Sequence, residues 1–322
     1  MSELCGKLAA LGAVLAAFAP PALSSGQLLW RDPSLGVQPA TLGQAAPAPE
    51  GDKASRALEG IRGLDFSSLS TSAKQELASV LSDEFCYCGC PHTLGACLKT
   101  HPTCQHARRM AVLAAAEASN GAPAVEIITH LSKYYLSFRE PRLSLKVDDR
   151  MCTGKKEAKV TLVEFSDFEC PHCAAARPIL ETFARTNADS LRFCFSPFPL
   201  AGHLNSTPAA QAALFARDHG KFWQMHDLLF ENQKQLNPEL YKSLASRIGL
   251  SPAELSKALE AQRYADELNN WKESGIRAHV EATPTLYING RKYLLPIGVE
   301  ALQHTVEDEI EWISNKNSWA PD

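Results

Sequence analysis

Two cysteines three residues apart, in Cys170-Pro171-His172-Cys173, stand between a dense β run and a helical pattern. The run before them, Val160-Thr161-Leu162-Val163-Glu164-Phe165, is rich in β-branched and aromatic residues. It reads as a central, buried strand. The helix after them is expected to reach about Arg185. Leu191-Arg192-Phe193-Cys194-Phe195 reads as the next strand. A β-helix-β order implies a parallel pair joined by a right-handed crossover, so this half of the chain is of the α/β class.

The rest of the half keeps to that class with an interruption. Residues 143–147 alternate as a short opening strand. Residues 196–282 look almost wholly helical, with Thr207 as an N-cap before Pro208 and Ser251 opening a capping box with Glu254. Phe222, Met225, Leu228 and Leu229 form one apolar face. Strand signals return at Thr285-Leu286-Tyr287-Ile288, and Asn289-Gly290 marks a hairpin turn into a return strand over 291–295. A helix over 299–313 closes the pattern. The sheet is therefore split, with a helical subdomain inserted between its halves.

The position of the cysteines has a chemical logic. The first turn of a helix has unpaired N–H groups and a positive dipole end, and both favour a thiolate on Cys170. Cys173 lies one turn on, within reach of a disulfide. The first cysteine exchanges with a substrate, and the second resolves the mixed disulfide. Pro171 suits a first turn because its missing N–H costs nothing there. The dipole contributes roughly 0.3–1 kcal/mol, about one pKa unit at most. Deep activation of a thiol takes several units, so N–H···S bonds and His172 beside the sulfur must supply the remainder. A Cys-x-x-Cys pair is also found in structural disulfides and as half of a zinc site. The chain has no second such pair, and the strand-to-helix context favours a dithiol catalyst.

The run from Val163 to Cys173, Val-Glu-Phe-Ser-Asp-Phe-Glu-Cys-Pro-His-Cys, resembles the active-site strand and helix of DsbA-like thioredoxin-fold proteins. Its Pro-His dipeptide matches that of DsbA. Pro178 matches the helix-kinking proline of the family, and Thr283-Pro284-Thr285 resembles the loop that faces the dithiol. The resemblance covers about residues 143–315. It implies a thioredoxin-like fold with a helical insertion, Cys170 and Cys173 as the catalytic pair, and Pro171 and His172 tuning them. It also implies a cis Pro284, with Thr283 hydrogen-bonding an extended substrate backbone. Its partners would be protein or peptide thiols and disulfides, plus a redox protein that regenerates the pair. DsbA has Val before the cis proline where this chain has Thr283, so oxidase, isomerase and reductase directions all stay open. Glu164 has two readings: a buried proton acceptor for Cys173, or a solvent-facing strand residue.

A second cysteine cluster lies upstream. Cys86, Cys88, Cys90, Cys97 and Cys104 fall within 21 residues, together with His92, His101 and His106. Around them, residues 71–139 read as a small α-helical unit, and Glu140-Pro141 reads as a hinge to the thioredoxin-like domain of residues 140–316. The cluster could be a disulfide knot stapling a unit with little core of its own, a thiolate site for zinc or copper(I), or a second redox centre. The spacing matches no common zinc-finger pattern. No cofactor is required by the rest of the sequence. Cys194 reads as a small buried hydrophobe, and a bridge from it to Cys152 is open.

Residues 1–24 read as a secretory signal peptide: Lys7, an apolar run over 8–19, Pro20-Pro21, then Ala22-Leu23-Ser24 as the cleavage site. Residues 25–70, rich in Pro, Ala, Gly and Gln, read as a flexible spacer with one short helix near 54–61. Ten cysteines in 322 residues agree with an exported, periplasm-like setting. A formal net charge of −4 and the lack of any basic run give no reason to expect nucleic-acid binding.

Overall fold

The computed structural model describes residues 51–319. The expected signal peptide and residues 25–50 of the expected spacer lie outside them. From Gly51 the spacer region is structured. A helix, α1 (Gly51–Leu58), packs on α2 (Thr71–Asp83), with Ala54 and Ile61 buried. The helical unit continues through α3 (Leu94–Thr100), α4 (Gln105–Ser119) and α5 (Ala124–Leu136). Ser70 caps α2 by accepting from the Ala73 N–H. Asn120-Gly121 ends α4, with Gly121 at φ +89°, the left-handed stop that glycine adopts freely.

The second half holds a five-stranded sheet of order β1-β3-β2-β4-β5. Its strands are β1 (Cys152–Thr153), β2 (Val160–Ser166), β3 (Leu191–Pro197), β4 (Thr285–Ile288) and β5 (Arg291–Lys292). β2 and β3 are parallel, joined by α6 (Pro171–Thr186); β4 runs antiparallel to β2, with Glu164 opposite Leu286. Between β3 and β4 lies the helical insertion: α7 (Ser206–Asp218), α8 (Phe222–Glu231), α9 (Pro238–Arg247), α10 (Pro252–Glu260) and α11 (Ala265–Arg277). The final helix is α12 (Val299–Ser314). The split sheet and the inserted helices follow the expected order.

Two local expectations are corrected. Residues 143–147 form no strand. Only Leu143 bonds to the sheet edge, through its N–H to the Gly290 carbonyl, while Leu145 and Val147 lie against the apolar face beside Phe165. The real edge strand is β1, two residues long and antiparallel to β3. The start of α7 falls at Ser206 with Asn205 at the cap, so Thr207 and Pro208 sit in the first turn. The junction at Glu140-Pro141 is spanned by a polar network: Arg109 pairs with Asp308 and Glu311, Tyr134 donates to Asp308, and Arg142 pairs with Glu309. Trp312 and Trp319 complete the apolar core of the helical unit.

Candidate active site

β2 delivers the chain into the loop 167–169, and Cys170 then caps α6 in extended conformation (φ −75°, ψ 121°), with Pro171 in the first turn. Pro171 and His172 face outward, while Cys170 is 3% exposed and Cys173 0%. Both are free thiols. They lie in the apolar core of the helical insertion, against Phe168 and Phe195. The structure brings Thr283-Pro284 to them from the far side of the insertion: the peptide is cis, as the resemblance implies, and the Cys170 S–H donates to the Thr283 carbonyl at 3.3 Å. Thr283 Oγ1 is buried without a partner. Pro178 lies inside α6, as expected.

Glu164 stands on β2 beneath this pair. It is 3% exposed, which overturns the solvent-facing reading. Burial pushes its carboxyl up to about 7, and the charge of Glu181 adds to the rise. Burial, then the neighbouring Glu164 charge, holds the Cys173 thiol well above the ordinary range. The Asp167 N–H points at Cys173 Sγ at 3.5 Å, a partial counterweight.

Several residues that position the loop carry no sequence signal of their own. Asp167 is buried and accepts from the Glu169 and Leu200 N–H groups, from Ser206 Oγ and from His203 Nδ1. Gln233 Nε2 donates to the carbonyls of Phe168 and Cys170, 2.9 Å each, and Glu169 accepts from the Asn205 N–H. Asp167 and Glu169 belong to the run that carries the resemblance. Their partners, 36 residues away in the insertion, could not be read from it. His203, half-buried, is a member of this clamp.

The other cysteines separate into two groups. Cys152 and Cys194 face each other across the β1–β3 pair and form a disulfide, so Cys194 is not the free buried thiol first expected. Cys86, Cys88, Cys97 and Cys104 converge in the helical unit with free thiols, and Cys90 is half-buried beside them.

The sequence model of the family described as Thioredoxin matches residues 146–308. Among curated relatives, the Na(+)/H(+) antiporter NhaA 3 of Salinispora tropica is 35% identical over 154 residues, covering 48% of this chain and 24% of that protein. The chain thus spans about a quarter of the length of the antiporters it matches. Disulfide bond formation protein D of Bacillus subtilis is 26% identical over 170 residues, covering 49% of this chain and 76% of that one. Among solved structures, oxidised BdbD from Bacillus subtilis superposes with a TM-score of 0.48 at 24% identity, covering 53% of this chain and all of its own. The family match spans half the chain and contains the β2–α6 dithiol, the helical insertion and the cis Thr283-Pro284 loop: the chain belongs to the thioredoxin family, with a Cys-rich helical unit in front of the matched domain.

Proposed function

We propose that this chain is an exported thiol–disulfide oxidoreductase that forms or exchanges disulfides in protein substrates through Cys170 and Cys173. The observation that carries the proposal is the dithiol at the head of α6, with Cys170 Sγ against the carbonyl of Thr283 in the cis-proline loop. A substrate laid along that loop has its sulfur beside Cys170, the more exposed of the two thiols.

In the oxidising direction, a substrate thiolate attacks Cys170 Sγ of the Cys170–Cys173 disulfide, and Cys173 leaves as a thiolate and takes a proton. A second substrate thiolate then attacks the mixed disulfide and releases Cys170. The substrate loses two electrons and the pair gains them. A redox partner must remove them again to complete a cycle. Run backwards, the same steps reduce or shuffle substrate disulfides. Glu164, buried below Cys173, is the group that exchanges the Cys173 proton.

Cys170→Ser is expected to abolish oxidation and reduction of a model dithiol peptide, and Cys173→Ser to accumulate the mixed disulfide; retained turnover in Cys170→Ser sinks the proposal. Thr283 ahead of the cis proline favours a second reading, an isomerase or reductase. The reduction potential of the pair separates the two: near about −120 mV marks an oxidant, and well below about −200 mV a reductant.

A further inference from the structure

We propose that Cys86, Cys88, Cys97 and Cys104 hold one zinc ion through four thiolate sulfurs. The ligands come from separate pieces of the helical unit. Cys86 and Cys88 lie in a loop closed by a β-bridge between Phe85 and Thr93, Cys97 lies on α3, and Cys104 caps α4. All four side chains are buried, and their sulfurs all lie within 4.8 Å of one another. A tetrahedral ion with Zn–S bonds of ~2.3 Å sets its sulfurs ~3.8 Å apart. Cys86 and Cys88 Sγ, now 3.2 Å apart, would open by about half an ångström to meet that spacing.

Two simpler accounts fit the geometry less well. Buried cysteines acting as small hydrophobes pack wherever a gap needs filling. Here four sulfurs from three chain segments point at a common centre. Paired disulfides need each sulfur to have one partner. Cys88 Sγ instead stands 3.2 Å from Cys86 Sγ and 3.3 Å from Cys90 Sγ, with no partner preferred. Five thiols also leave one over, and a tetrathiolate site says which: Cys90, half-buried and outside the group of four.

The surroundings suit thiolates. The Ala107 N–H in the first turn of α4 donates to Cys104 Sγ at 3.4 Å, an outer contact that orients a ligand and spreads its charge. The walls are apolar: Leu81, Leu94, Leu98 and Met110 are buried in the same cluster. Four protein ligands leave no open position for water or substrate, so the ion is structural. It would tie the 85–93 loop and the seven-residue α3 to the start of α4. On binding, the thiol protons pass to solvent and no electrons move.

The site is independent of the dithiol, and its test keeps the two apart. The full chain, purified anaerobically without added metal, is analysed for metal content. One zinc per chain is expected, and equally in Cys170→Ser/Cys173→Ser, which removes the dithiol. Cys90→Ser should keep the ion through dialysis against a chelator, whereas Cys97→Ser and Cys104→Ser should lose it. Because those two variants could fail to fold, the cobalt-loaded wild type and Cys90→Ser provide a second readout: both should show the intense visible bands of tetrahedral thiolate-bound cobalt. A chain that takes up no stoichiometric zinc or cobalt overturns the proposal. So does peptide mapping that finds these four cysteines disulfide-bonded in the fresh protein, and iron or copper at one per chain overturns the choice of ion.

Discussion

A carboxyl placed beneath a dithiol changes what pH does to both. Glu164 is held near 7 in the folded chain against an ordinary 4.5. Its folded value is raised, so the stability linked to its proton is fully present below about 4.5 and is lost as pH rises through about 7. A shift of that size corresponds to roughly 3 kcal/mol. Glu164→Gln keeps the shape and cannot ionise. Relative to wild type, it is expected to gain stability between about pH 5 and pH 8, by up to that amount, read from urea unfolding at several pH values. The same variant should lose any inflection near pH 7 in the single-turnover rate of Cys173 proton exchange. Equal pH profiles for the two proteins would remove Glu164 from the mechanism. The sequence could place Glu164 on a strand but not choose its face. Alternation signals a face only where one side is wet, and β2 is buried at every residue but Thr161. Asp167 and Gln233 were hidden for another reason: hydrogen bonds to partners dozens of residues away leave no local pattern.

At the scale of elements, periodicity and turn chemistry carried most of the architecture. β2, β3, β4 and the Asn289-Gly290 turn were legible because each concentrates β-branched or aromatic residues or a residue pair that accepts positive φ; Asn289 and Gly290 stand at φ 47° and 77°. β1 was not legible, since two residues cannot show a period. What holds so short a strand on the sheet edge is the Cys152–Cys194 disulfide, formed between register partners. It closes a loop of sequence separation 42, which in the chain-entropy account corresponds to roughly 4 kcal/mol, with 2–4 typical of measured bridges. The double variant Cys152→Ala/Cys194→Ala should therefore lower stability by about 2–4 kcal/mol in denaturant unfolding, while dithiol exchange at Cys170 persists. A loss of exchange without loss of stability would instead make this bridge part of the redox machinery.

Across the whole molecule, the helical unit and the thioredoxin domain share a core that neither half of the sequence announces. Arg109 and Asp308 meet from positions 199 residues apart, and both are buried. Arg291 pairs with the buried Glu309, lies 3.7 Å over the Phe138 ring and donates to Ser137. Buried ion pairs contribute little net stability compared with apolar packing, yet removing one partner strands the other charge away from water at about 3–5 kcal/mol. Asp308→Leu also takes the acceptor from Tyr134, so its cost should reach that range. Arg109→Met/Asp308→Leu removes both charges and should cost clearly less than the two single changes summed, a coupling of about 1–3 kcal/mol. Because Trp312 and Trp319 lie in the shared core, tryptophan fluorescence and far-ultraviolet circular dichroism should report one coincident transition in wild type. In Asp308→Leu the fluorescence transition should move to lower denaturant first. Two separate transitions in wild type, or additive single and double variants, would mean that the junction is only a contact, and that the thioredoxin domain folds without help from the Cys-rich unit.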